Sequence, residues 1–214
     1  MKKGYGVLGL GRFGTSVAVN LAKTGVEVLA VDLDEANVHE VADIVTCAVQ
    51  GDISDPEILE SLGIRNLDAV VVAIAENMEA SVMATILAKE QGVPYVISKA
   101  QNEMHGKILE KVGADSVIYP EKEMGARVAR NLTVGNFIDL FELSSKVSMV
   151  EMLIKPEWVG KTLISLDLRG RYGINVVAVR RDGELDVSPK PTEPLTTDMH
   201  LLLTGYNQDL QKLV

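Results

Sequence analysis

Gly9-Leu10-Gly11-Arg12-Phe13-Gly14 is the stretch whose residue types and spacing point first to chemistry. In a G-x-G-x-x-G, one glycine permits a tight strand-to-helix turn, one lets backbone amides approach a pyrophosphate, and one lets the helix pack close to the strand. A phosphate then rests at the positive end of the helix that follows. Gly6-Val7-Leu8 precedes the turn, a helical run over 15–23 closed by Gly25 follows it, and a second apolar run, 26–31, ends on Asp32. Asp32 stands at about the 20-residue distance expected of an acid that accepts a ribose hydroxyl, with Asp34 close behind. Neither Leu33 nor Asp34 is an arginine that could receive a 2′-phosphate, which disfavours an NADP-type ligand. Arg12 has a planar fork that can clamp a second or third phosphate, of its own ligand or a neighbour's; the plainer reading is a solvated arginine on the first helical turn.

Further candidates sit where other apolar runs end: Gly51-Asp52-Ile53, Ile74-Ala75-Glu76 and Lys99-Ala100-Gln101. Asp52 can accept from an adenine amine, the Ile53 amide can serve the ring, and Lys99 can balance phosphate charge. Helix capping accounts for such residues equally well. Glu121, after Pro120, can hold a divalent cation such as magnesium or calcium through oxygen beside bound phosphates, or it only complements the dipole of the next helix. His39, His105 and His200 are dispersed without metal spacing, His39 and His200 reading as structural or surface residues, and Cys47 reads as a small core residue on a strand. No nucleophile–base pair stands out, so no residue is assigned a catalytic role.

The elements that must position these groups alternate through the first 130 residues. Strands are expected at 4–8, 26–31, 44–49, 69–74, 95–99 and 116–119, with helices between them signalled by Ser54 or Asp55 before Pro56 and by Gly63, Gly92 and Gly113 at their ends. That rhythm means an α/β fold, a Rossmann-like doubly wound parallel sheet whose ligands bind beyond the carboxyl ends of the strands. A helix over 122–132 and an amphipathic segment at Asn136 to Leu143 lead into shorter strands near 149–154, 176–180, 185–188 and 201–204, a helical piece around 162–166 and the turn Arg181-Asp182-Gly183. We therefore expect three parts: a nucleotide-binding domain over 1–133, a crossover segment over 134–146, and a small α+β domain over 147–214.

Composition narrows the function. With 30 acids against 21 bases the formal charge is −9 and no basic cluster gathers on a segment, so a nucleic-acid partner is not expected, nor a Rossmann-type transcription factor. One cysteine cannot form an internal disulfide, the chain opens on a strand, and its apolar runs fall short of a membrane span; cytoplasmic residence is expected, with any membrane role through a partner. A small NAD-dependent oxidoreductase is the alternative, but about 70 C-terminal residues make a short substrate domain and no acid or base stands beside a nicotinamide position.

The glycine turn, Val31-Asp32, Leu62-Gly63-Ile64-Arg65-Asn66, Lys99-Ala100-Gln101-Asn102, Leu109-Glu110-Lys111-Val112-Gly113-Ala114-Asp115 and Pro120-Glu121-Lys122-Glu123-Met124-Gly125 together resemble the RCK domain of KtrA/TrkA-type regulatory subunits of bacterial potassium uptake systems. Arg169-Gly170-Arg171-Tyr172-Gly173-Ile174-Asn175 resembles the C-terminal RCK subdomain, and the segment around Phe137 to Leu143 its crossover helix. The resemblance implies a gating ring: dimers assembling into a homo-octamer beneath a membrane potassium-translocating subunit of KtrB/TrkH type, responding to ATP and ADP, or to NAD or NADH. It implies that Gly9, Gly11, Arg12, Phe13 and Gly14 meet the phosphates and that Asp32, Leu33 and Asp34 hold the ribose. Asp52 and Ile53 would meet the adenine, Ile74, Ala75, Glu76, Lys99, Ala100, Gln101 and His105 the remainder, and Glu121 a cation. It further implies a cyclic di-AMP site formed by Leu163, Leu168, Arg169, Ile174, Asn175 and Pro189. Asp34 and Gly51-Asp52 depart from the usual Asn and Ala-Asn.

Overall fold

The computed structural model describes residues 3–133 and 137–213, and the chain divides into two compact units, residues up to Glu121 and those from Lys122 onward. In the first unit the strands are β1 (Gly4–Leu8), β2 (Glu27–Asp32), β3 (Cys47–Gln50), β4 (Ala69–Val72), β5 (Val96–Lys99) and β6 (Ser116–Ile118). The helices between them are α1 (Arg12–Lys23), α2 (Glu35–Val41), α3 (Pro56–Ser61), α4 (Met78–Glu90) and α5 (Glu103–Lys111). The strands form one parallel sheet in the order β3-β2-β1-β4-β5-β6. All six expected strands are present. Both faces of the sheet are covered, which explains why the strands read as continuous apolar runs. Leu8, Val31, Val70, Val72 and Val96 pack with Leu59, Ile64, Ala84 and Leu87 in one cluster; Val7, Val28, Ala30 and Val71 pack with Ala18 and Val41 in the other.

The structure corrects three details. Helix α1 starts at Arg12, not near Thr15, because the tight glycine turn ends at once and leaves Arg12, Phe13 and Gly14 in the first helical turn. Strand β3 starts at Cys47, and Ile44 lies in the turn that follows α2, half exposed. Cys47 is exposed, not a core residue, because β3 ends the sheet and pairs with β2 on one side.

Helix α6 (Pro120–Thr133) follows β6 and runs into the second unit, which then has β7 (Phe137–Glu142), β8 (Val147–Leu153), α7 (Leu163–Leu166), α8 (Leu168–Tyr172), β9 (Asn175–Arg181), β10 (Glu184–Asp186), β11 (His200–Tyr206) and α9 (Asn207–Leu210). Its sheet is antiparallel, ordered β10-β9-β11-β8-β7, over a core of Val150, Met152, Trp158, Leu166, Leu168, Ile174, Leu201 and Leu203. The expected crossover helix at Phe137 to Leu143 is instead strand β7; Asn136 lies outside the described residues. A short run of Phe137, Ile138, Leu140 and Phe141 fits either period. Here β8 decides, since it offers β7 an antiparallel ladder closed by a serine turn in which the Leu143 and Ser144 amides both donate to Val147 O at 3.0 Å.

Gly14 tolerates little change, since an added Cβ would lie 1.9 Å from Gly9 O, a backbone atom that cannot turn aside. Gly14→Ala should lower unfolding free energy by about 1–3 kcal/mol, the usual cost of overpacking a tight site. Urea denaturation measures it, with Gly125→Ala, whose Cβ would meet nothing within 4 Å, as the control that changes little.

Candidate functional site

The strand order reverses between β1 and β4, which makes the carboxyl end of β1 the place where an open sheet leaves a crevice. Gly9 turns the chain there with φ of +96°, in the left-handed region that favours glycine, and a Cβ on it would strike the Ile74 side chain at 2.4 Å. Gly9 N donates to Val31 O at 2.8 Å, tying the turn to β2. Asp32, at the tip of β2, accepts from the Leu10 amide through Oδ2; through Oδ1 it accepts from Asp34 N at 2.8 Å and Asn37 Nδ2 at 3.3 Å. A carboxylate has about four acceptor positions, so one remains for a hydroxyl.

Helix α1 differs from its successors at its N-terminus. Asp34, Asp55, Asn77 and Asn102 cap α2 to α5, each accepting from a backbone N–H of the first turn. Gly11 at the N-cap of α1 makes no side-chain hydrogen bond, and no acid stands in the first turn. Among the described residues no side-chain acceptor caps the first amides at the positive dipole end of α1. A Cβ on Gly11 would meet nothing within 4 Å, so space lies open there. These features suit a phosphate group. Arg12 is exposed beside them.

The remaining strand ends lie along the same carboxyl edge of the sheet. Asp52 Oδ1 accepts from Ser54 Oγ at 2.6 Å and Ser54 N at 2.8 Å, which hold its carboxyl below the ordinary range; Ile53 beside it is buried. After β4, Ala75 is buried and Glu76 exposed. Lys99, at the end of β5, pairs with Glu121 Oε1 at 2.7 Å and lies 5.8 Å from the centre of the Phe13 ring. The hydrogen bond from Lys99, foremost, holds the Glu121 carboxyl below its ordinary value. Among the described residues no group of three or more His, Cys, Asp or Glu side chains is arranged to hold a metal ion.

His105 is fully buried, so its side chain presents no open surface beside Gln101 but supports it from behind: Nδ1 accepts from Gln101 N at 3.4 Å, and desolvation pushes its pKa down. His39 is exposed, with Nε2 3.6 Å from Glu35 Oε1, and His200 Nδ1 lies 2.9 Å from Glu151 Oε1.

In the second unit a cleft of about 350 Å³ is lined by Leu163, Leu168, Arg169, Ile174 and Asn175. Pro189 is not among them; it borders a separate cleft of about 290 Å³ with Arg181 and Lys190, and Leu163 borders both. Asp167, which sequence reasoning passed over, also lines the first cleft. It adopts φ of +44° and caps α8 by accepting from Gly170 N at 3.1 Å. Its place before Leu168-Arg169-Gly170 is the usual N-cap signal, hidden by the brevity of α8.

Residues 5–120 match the TrkA-N domain family and residues 149–214 the TrkA-C domain family. The chain belongs to the KtrA/TrkA family of RCK proteins. This RCK chain is 45% identical over 212 residues to Ktr system potassium uptake protein C of Bacillus subtilis, covering 99% of this chain and 96% of that protein. It is 40% identical to Ktr system potassium uptake protein A of the same organism (98% and 95% covered) and 35% identical to that of Vibrio alginolyticus (97% and 94%). Among solved structures, the crystal structure of the GsuK RCK domain shares the fold with a TM-score of 0.69 at 18% identity over 100% of this chain and 47% of that one; the RCK chain thus spans under half of the GsuK chain. The TrkA-N domain of the inner membrane protein ybaL from Escherichia coli shares the fold of the first unit, with a TM-score of 0.56 at 19% identity over 62% of this chain and 98% of that one. No helix among the described residues is long and apolar enough to cross a membrane.

The Lys99–Glu121 pair gives a pH signature. A carboxyl whose folded pKa lies below its ordinary 4.5 contributes stability that is complete above that value and is lost as pH falls through the folded pKa. Glu121→Gln should therefore lower stability at pH 7, by at most about 1 kcal/mol for a pair this exposed. The gap from the unsubstituted protein should close below pH 4.5, as urea titrations at several pH values would record.

Proposed function

We propose that the chain is the cytoplasmic regulatory subunit of a Ktr/Trk-type potassium uptake system. It binds ATP or ADP at the end of α1 and cyclic di-AMP in the cleft of its second unit, and it acts as a homo-oligomeric ring on a membrane potassium-translocating subunit. The observation that carries the nucleotide reading is the uncapped N-terminus of α1 facing open space at Gly11, with Asp32 across the turn. Similarity over 99% of the chain to a protein named for potassium uptake supports the physiological role. GsuK, which shares the fold, is known bound to NAD and to ADP, and adenosine with its pyrophosphate is common to both.

On this reading α1 receives the phosphates, Asp32 accepts from the ribose and Asp52 lies toward the base. Arg12 reaches the distal phosphate, so it distinguishes nucleotides by phosphate number. Such a difference matters only if the two states of the assembly bind ATP and ADP with unequal affinity; a coupling of about 1–3 kcal/mol is typical of allosteric proteins. Glu121, if released by Lys99, would offer a carboxylate oxygen to a divalent cation bound beside the phosphates. Arg169 offers two parallel donors to a phosphodiester, and Leu163, Leu168 and Ile174 an apolar wall.

Calorimetric titration with ATP, ADP, NADH and cyclic di-AMP tests both sites at once. Losing a charge-assisted hydrogen bond costs about 1.5–3 kcal/mol. Arg12→Ala should therefore weaken ATP about tenfold or more and leave cyclic di-AMP unchanged, and Arg169→Ala should do the reverse. Binding of NADH alone, indifferent to both substitutions, would remove the support for this assignment.

A further inference from the structure

Lys99 has two neighbours that lead in different directions. Its ammonium lies 5.8 Å from the ring of Phe13, in the first turn of α1, and 2.7 Å from Glu121 Oε1, in the first turn of α6. Its side chain is only 16% exposed, whereas that of Glu121 is 71% exposed. The cation is thus held near the glycine turn by the fold, and the carboxylate is the partner free to leave. A phosphoryl group at the uncapped end of α1 would be a second anion within the reach of the same ammonium. One positive charge cannot neutralise both, and the phosphoryl group carries the larger negative charge and more acceptor oxygens.

We infer that Lys99 is an exchangeable cation: Glu121 holds it when the glycine turn is empty, and a phosphate bound there competes with Glu121 for it, untying the first turn of α6 from β5. The inference rests on the nucleotide reading above and adds to it a physical link between phosphate binding and a helix. Binding at α1 then works against an existing ion pair. Anything that neutralises Glu121 strengthens phosphate binding, and by reciprocity phosphate binding leaves Glu121 available to another partner.

A double-mutant cycle isolates this exchange from simple repulsion between Glu121 and phosphate. ADP affinity is measured by calorimetry, in EDTA so that no divalent cation intervenes, for the unsubstituted protein, Glu121→Gln, Lys99→Met and the double variant, each checked for folding by circular dichroism. The exchange requires Glu121→Gln to tighten ADP about five- to tenfold when Lys99 is present and less than about twofold in the Lys99→Met background. Lys99→Arg should keep most of the affinity that Lys99→Met loses. An equal gain in both backgrounds means through-space repulsion alone and overturns the exchange, as does no gain in either. Hydrogen exchange gives a second reading: saturating ADP should raise exchange over residues 121–125 of the unsubstituted protein toward the level of unliganded Glu121→Gln, and unchanged or slower exchange there contradicts the inference. If the unsubstituted protein binds neither ADP nor ATP, the nucleotide reading itself fails and takes this one with it; binding with additive effects sinks the exchange alone.

Discussion

The close approach of α1 to β1 is the constraint on which the site depends. Gly14 lies so near Gly9 O that no Cβ fits between them, and Gly9 can take its turn only because its φ of +96° costs glycine little. Together they bring the helix start directly to the end of the strand. The first amides of α1 are thereby aimed over the sheet's crevice, and the Leu10 amide comes within reach of the Asp32 carboxylate. Loosening that backbone contact would move the amides, the acid's tether and Arg12 together.

The first unit is legible in the sequence for reasons that reach beyond this contact. Its strands are buried on both faces, so each reads as an apolar run, and its helices begin with Asp or Asn caps that announce themselves, as at Asp55-Pro56. Glycine spacing needs no tertiary context to be recognised. The misreadings arose where tertiary partners decide. Phe137 to Glu142 carries no local mark that separates a short helix from a strand, and only the ladder with β8 makes it β7. Cys47 has the residue type of a core position, but exposure depends on which strand ends the sheet, and nothing near β3 in sequence says that it is the edge.

The candidate sites divide along the same line. Residues read from a turn or a strand tip, Gly11, Arg12, Asp32, Asp52 and Lys99, share the carboxyl edge of the sheet because the parallel topology puts every such tip there. His105 belongs to a helix, and its face was settled by packing, which buried it. Pro189 follows β10 in a proline-rich connection whose path has no periodicity to read, and it reaches a neighbouring cleft instead of the one lined by Arg169.

For a chain of net charge −9 to bind a polyanion, as proposed, its charges must be arranged locally, since its overall field would repel the ligand. The crevice does this by separating them along the sheet. Asp32, Asp34 and Asp52 lie at the β2 and β3 end, while the α1 amides, Arg12 and Lys99 lie at the β1 and β5 positions. Phosphate at the acidic end would face three carboxylates; a sugar and base there can donate hydrogen bonds to them. A ligand with a neutral, hydrogen-donating end and an anionic end therefore fits in one direction only. That polarity also bears on selectivity, because a second phosphate on the ribose would sit against Asp32 and Asp34 with no arginine between them, whereas phosphates added to the other end extend toward Arg12 and Lys99. On the proposed nucleotide reading the arrangement would thus reject charge at the sugar and read its amount at the distal end, where Lys99 is already paired with Glu121.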